Sequence, residues 1–238
     1  MSPEPDEPAG LPLFDQRNYR RAKATLPGHG QGIAPRNKGK TLPAEIIPAE
    51  QVRALVDACP KTTPYGLRLA AFIAVLYRTG MKVSELLKTR LKDVDLRSGH
   101  ESIRAAGGKN LRRRRLGLDS YALPHLTAWL TAREGLPGDL VFCVVHGPTA
   151  GRAWNVMGAR HDLRRLAPQV LDGRVHPEAF RLTCAAELIV EQWPLTYMQA
   201  QLGLTSAWSF TKLFPRLGIE DADDADVAEI ARFRPEPS

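Results

Sequence analysis

Lysines and arginines are the residues here whose number and spacing could do chemistry, and that chemistry is the neutralisation of phosphate. Positions 16 to 44 carry Arg17, Arg20, Arg21, Lys23, Arg36, Lys38 and Lys40 and no acid. The formal net charge is +7, yet residues 219–238 hold seven acids against Arg232 and Arg234, a net −5, which leaves +12 for the rest. A basic body favours a polyanion partner, because cations that neutralise phosphates release condensed counterions. The plainer alternatives are a solvated basic surface and, for residues 1–44, a solubilising tail. Cys59, Cys143 and Cys184 lie far apart with no Cys-x-x-Cys pair, so reduced, buried thiols are expected, with no disulfide framework or metal site. No cofactor is expected either. No run approaches the ~18–20 apolar residues of a membrane span. The acidic, proline-rich N-terminus is not a signal peptide, which points to a cytoplasmic protein.

Those cations need a scaffold, and 238 residues with 43% apolar content can bury a full core. Residues 1–44 show no apolar period and recurrent Pro and Gly, and read as a flexible basic arm. The globular part begins near Ile46. Pro48 suits a first helical turn, and Val52, Leu55, Val56 and Cys59 recur with helical spacing. The run Leu67–Tyr77 is almost wholly apolar and predicts a buried helix that Thr79-Gly80 breaks. Ser84 is expected to cap a second helix through about Arg90, with Glu85 favourable in its first turn. Residues 101–106 and 112–118 flank Gly107-Gly108 as two extended runs, a hairpin signal. Further helices are expected over Leu123–Arg133, Asn155–Leu166, Glu178–Val190 and Pro194–Leu202. No internal repeat is present. The fold class is mainly α with a small antiparallel β-sheet.

Three segments in this order resemble the catalytic domain of the tyrosine recombinase (phage integrase) family. Leu76–Leu87 reads Leu-Tyr-Arg-Thr-Gly-Met-Lys-Val-Ser-Glu-Leu-Leu and is similar to the family's first catalytic block. Gly107-Gly-Lys-Asn with Arg112–Arg115 is similar to the hairpin that carries the family's lysine. Residues 174–183 read Arg-Val-His-Pro-Glu-Ala-Phe-Arg-Leu-Thr and are similar to its histidine–arginine block. The spacing from Arg181 to Leu202-Gly203 also matches. The likeness covers roughly residues 42–217, and the domain is placed at 45–218, between the basic arm and an acidic tail at 219–238.

The resemblance implies metal-free phosphoryl transfer. A tyrosine attacks a DNA phosphate, two arginines clamp its oxygens, a lysine protonates the leaving oxygen and histidines assist. Arginine suits the clamp because its planar fork presents parallel donors that never titrate. On this chain the first arginine falls on Lys82, which keeps the charge without the fork. The lysine falls on Lys109 and the second arginine on Arg181, both intact. The position three before Arg181 is Glu178, an acid beside the phosphate site. The position after Arg181 is Leu182, and the histidine after Leu-Gly is Leu204. The tyrosine falls on Leu213, and the last tyrosine in the chain is Tyr197. His176, before Pro177, is read as structural.

These substitutions imply a catalytically degenerate recombinase that binds double-stranded DNA as an accessory or regulatory factor in integration or recombination. Prokaryotes, phages and mobile elements are the implied setting, near the nucleoid. The DNA-binding candidates are Lys82, Lys109, Arg112, Arg113, Arg114, Arg115 and Arg181, with the arm residues. Side chains alternate along a strand, so two of the four consecutive arginines should face DNA; the alternative is a hairpin edge guarded by charge. Lys88, Arg90 and Lys92 are further candidates for the same face. The family's preceding helical domain is not found in the 44 residues before this one, so half of the usual clamp is expected to be missing. An active recombinase paralogue could supply it. Val227, Ile230, Ala231 and Phe233 could form a short tail helix for self-association. Two rival readings remain open. One is an active recombinase with a displaced or partner-supplied nucleophile, to which intact Lys109 and Arg181 lend support; the nearby Ser209 and Thr211 hydroxyls have pKa values far above a phenol's and no neighbouring histidine to activate them. The other is a protein–protein module without DNA.

Overall fold

The computed structural model describes residues 45–106, 113–172 and 175–204. The arm, Lys109, Arg112, Ser209, Thr211, Leu213 and the acidic tail lie outside them.

The centre of the fold is α2 (Pro64–Thr79), and its sequence explains why. A helix that is apolar all round must be surrounded by protein, and residues 69–77 are all buried. The Thr63 hydroxyl accepts the Gly66 N–H at 3.1 Å, Pro64 fits the first turn, and Gly80 ends the helix in the left-handed region at φ 62°. This helix is three residues longer at its start than the apolar run alone predicts, because Thr63 and Pro64 fix its beginning. Around it pack α1 (Ala49–Asp57), α4 (Ala122–Ala132) and α6 (Glu178–Val190). Asn155 caps α5 (Val156–Leu166), its Oδ1 accepting the Gly158 N–H at 2.8 Å, and α7 (Leu195–Leu202) follows α6.

The second expected helix is corrected. Helix α3 spans only Val83–Leu86, with Lys82 rather than Ser84 at its N-cap. The Glu85 carboxylate accepts the Lys82 N–H at 3.0 Å, which fixes the start two residues earlier. The end comes early because the next backbone has another partner. Leu91 N–H donates to Asp139 O at 2.7 Å and Val141 N–H to Thr89 O at 2.9 Å.

The sheet is antiparallel, in the order β1-β2-β3. β1 (Val94–Asp95) was invisible in the sequence, since two residues carry no period. β2 (Ser102–Ala105) and β3 (Arg114–Gly117) are the expected hairpin arms, paired Ser102↔Gly117, Ile103↔Leu116, Arg104↔Arg115 and Ala105↔Arg114. Ile103, Ala105 and Leu116 are buried on one face, while Arg104 and Arg115 are exposed on the other. The three cysteines are free and buried. Burial pushes the Cys59 and Cys184 thiols up to about 12, which makes them inert packing groups. Among the described residues no helix is long and apolar enough to cross a membrane.

Candidate nucleic-acid site

The turn between α2 and α3 is where the three motif segments meet. Gly80 is required there twice over. Its φ of 62° disfavours a side chain, and a Cβ would lie 2.4 Å from Leu202 Cδ2. Its carbonyl accepts a hydrogen bond from Arg181 Nη1 of α6. Arg181 Nη2 donates to Leu202 O at the end of α7, at 2.9 Å. Gln201 Nε2 donates to Thr79 O at 3.2 Å and ties the same two elements.

Arg114 enters from β3. Its Nη1 and Nη2 donate to Glu85 Oε1 and Oε2 at 2.8 and 3.1 Å, and its Nε donates to Gln201 O at 2.8 Å. Both side chains of the pair are buried, at 7% and 3% exposure. This is the bidentate fork-on-carboxylate geometry that arginine alone provides. Burial by itself would raise the Glu85 carboxyl. The Arg114 hydrogen bonds, the Lys82 N–H and the nearby charges of Arg114 and Arg181 hold it below its ordinary value instead.

Arg181 is 6% exposed. Burial pulls its guanidinium below the usual value, Glu178 offsets part of that, and Arg114 adds to it. It stays charged at any physiological pH. The Glu178 carboxylate lies 4.0 Å from Arg181 Nε, so the acid beside the expected phosphate site sits against this arginine. Lys82 is half-buried at the N-cap of α3. The structure thus brings Lys82, Glu85, Arg114 and Arg181 together around the turn. Lys109, Arg112 and Leu213 lie outside the described residues.

The remaining candidates separate. Arg113 and Arg115 are exposed, whereas Arg114 points into the protein. Arg114 was grouped with the DNA contacts, and that is corrected to a buried partner of Glu85. The reason is parity, for Arg114 shares its face with Leu116. Arg90 is exposed, and its Nη1 pairs with Asp139 Oδ2 at 2.5 Å at the surface. Lys88 is exposed, and Lys92 lies at the sheet with Arg104 and Arg115. His176 Nδ1 accepts the Glu178 N–H at 3.2 Å, a local turn contact at the start of α6. Leu182 and Leu204 are half-buried. Tyr197 stacks on Trp193, with ring centroids 4.5 Å apart.

Sequence reasoning missed the role of Glu85. It read as an acid favourable in a helix's first turn, and only the partner 29 positions later shows why it is buried. It also missed the cationic face of α5, where Arg160, Arg164 and Arg165 are exposed. The signal was present as alternation with buried Ala159, Asp162, Leu163 and Leu166.

A mainly helical domain whose arginine, lysine-hairpin and histidine–arginine segments converge on one turn defines a DNA-recombinase type of catalytic domain. The chain belongs to the phage integrase family, whose model matches residues 45–211. It is 32% identical over 173 residues to the tyrosine recombinase XerC of Xylella fastidiosa strain 9a5c, which covers 71% of this chain and 56% of that protein. It is 31% identical over 167 residues to XerC of Alcanivorax borkumensis, covering 69% and 53%. The chain therefore spans a little over half the length of these relatives. In fold it is similar to the XerA recombinase, with a TM-score of 0.61 at 19% identity over 84% of this chain and 68% of that one. It is also similar to the XerH recombinase solved with its palindromic difH substrate after cleavage, with a TM-score of 0.60 at 22% identity over 76% and 52%.

Proposed function

We propose that this chain binds double-stranded DNA and does not cut it, serving as an accessory or regulatory factor in DNA recombination. One observation carries the reading: leucine stands at position 213, where the resemblance puts the nucleophile. In addition, Arg181 spends two of its five N–H donors on the carbonyls of Gly80 and Leu202, and its Nε lies 4.0 Å from the Glu178 carboxylate. A clamp needs donors aimed at an incoming phosphate. Lys82 at the other clamp position supplies a charge but no fork. Leucine at position 213 removes the covalent route itself. Lys82, Lys109, Arg112 and Arg113, with the arm cations, are the proposed backbone contacts. Such contacts position DNA without reading its sequence. A partner recombinase would supply chemistry, and the cytoplasm is the natural compartment.

The identity to XerC proteins favours a second reading, an active recombinase whose nucleophile comes from elsewhere in the chain or from a partner. Incubation of the full chain with nicked duplex, followed by denaturing electrophoresis, separates the two. Salt-sensitive binding without a covalent adduct is the expected result. An adduct would establish the active reading and abolish the first.

A further inference from the structure

The outer face of the sheet carries a feature that the site above does not use. Arg104 and Arg115 are direct cross-strand partners and both are exposed. Like charges opposite one another destabilise a sheet. Among the described residues neither guanidinium has a carboxylate within ion-pair distance. With Lys92, Arg97 and Ser102 they line a cleft of about 280 Å³, alongside Asp93, Val94 and Asp95. The two acids are already engaged. Arg97 Nε and Nη2 grip Asp95 at 2.9 and 2.6 Å, which holds that carboxyl well below its usual range, and Asp93 Oδ2 accepts the Arg90 N–H at 3.1 Å. Arg104, Arg115 and Lys92 are left facing the cleft.

Edge protection does not account for this. Charges placed to stop edge-to-edge pairing belong on edge strands. Arg115 and Arg113 fit that use, being on β3 or next to it. Arg104 does not, because β2 is the central strand. Gly117, on the same face, adds no side chain, and a Cβ there would meet nothing within 4 Å. The face is thereby open to a flat or extended anion. Among the described residues the lining offers no aromatic ring on which a base could stack. A phosphate group is the chemistry that fits.

We infer that the open face of the sheet, centred on Arg104 and Arg115 with Lys92, is a second binding surface for a phosphodiester backbone, on the opposite side of the sheet from Arg114, which pairs with Glu85. This rests on the DNA-binding reading above. It adds a contact that works independently of the Lys82 and Arg181 positions. DNA held there need not be the duplex that meets the α2–α3 turn, so the domain could hold two segments at once.

The test measures duplex-DNA affinity of the full chain against salt, for the wild type, for Arg104→Gln/Arg115→Gln and for Arg104→Lys/Arg115→Lys. Each lost phosphate contact lowers the log–log salt slope by ~0.9 for B-DNA, so the glutamine pair should lower it by about two. The lysine pair should keep the wild-type slope. All three proteins should melt alike or the glutamine pair slightly higher, which excludes unfolding as the cause. An unchanged slope in the glutamine pair, with wild-type binding intact, overturns this surface alone. Absence of wild-type binding overturns both this surface and the DNA-binding reading. Inorganic phosphate supplies the second arm. If it raises the melting temperature of the wild type but not of the glutamine pair, while the DNA slope is unchanged, the cleft takes a free small anion and the backbone assignment fails.

Discussion

Arg114 and Arg115 are adjacent in sequence, chemically identical and opposite in circumstance. Arg114 lies on the inner face of the sheet, forked onto Glu85 and bonded to the last turn of α7. Arg115 lies on the outer face, opposite another arginine and open to solvent. Pleating alone separates them. Neighbouring arginines on one strand thus serve opposite ends, Arg114 tying the hairpin to α3 and α7 while Arg115 stays open to solvent.

Breaking the inner member should have the largest effect. Arg114→Ala leaves the Glu85 carboxylate buried and unpaired, a situation that costs about 3–5 kcal/mol. Arg115→Ala, at an exposed position, should stay within about 0.5 kcal/mol of wild type. Urea unfolding of the two variants checks the contrast, and equal losses would abolish it. Arg114→Leu combined with Glu85→Leu should recover most of the loss, short of the ~1 kcal/mol owed to the missing Lys82 cap.

Next in size is a change at the turn that both guanidinium-bearing elements reach. Gly80→Ala combines a left-handed backbone with an approach of 2.4 Å to Leu202 Cδ2. It should destabilise by roughly 1–3 kcal/mol and shift the whole unfolding transition.

Acid should sharpen the distinction. The Glu85 carboxyl is held below its ordinary 4.5. The unfolded chain therefore binds this proton more readily than the folded one. The pair's contribution is fully present above that ordinary value and is lost as pH falls through the lower folded one. Glu85→Gln should be less stable than wild type at neutral pH, with a gap that narrows on acidification below 4.5. A constant gap down to pH 3 would show that Glu85 does not titrate with folding.

The smallest expected effect has the opposite sign. Arg104→Thr removes one of two facing like charges and places a β-branched residue in a central strand, which should stabilise by ~0.2–1 kcal/mol while weakening DNA binding. A gain in stability alongside a loss of affinity would mark a residue kept for binding.

Much of this was legible beforehand, and for identifiable reasons. The central helix declared itself by an unbroken apolar run, and its end by Gly80. The hairpin was readable from two extended runs around paired glycines. The burial of Arg114 was within reach too, since Leu116 two positions on must face the core, but four identical residues masked the parity. Helix α3 was misplaced because Ser84 is the better cap by type, whereas a Glu85 carboxylate anchored from the distant Arg114 fixed the start at Lys82. The partners of Arg181 had no local signature. They are main-chain carbonyls 101 and 21 positions away, and nothing in a carbonyl's own residue type announces who will bond it. β1 was too short to carry a pattern at all.

Helix α7 has eight residues, fewer than the ~12–15 at which an isolated helix becomes even marginal in water. The carbonyls of a helix's last turn have no partner within the helix. Here those of Gln201 and Leu202 are taken by Arg114 and Arg181, arriving from a strand and from another helix. Two permanent positive charges thus stand at the negative end of the α7 dipole. α7 is therefore not an autonomous element. It should gain and lose hydrogen-exchange protection together with the hairpin and the N-terminus of α6, as one cooperative foldon rather than as a fraying terminus.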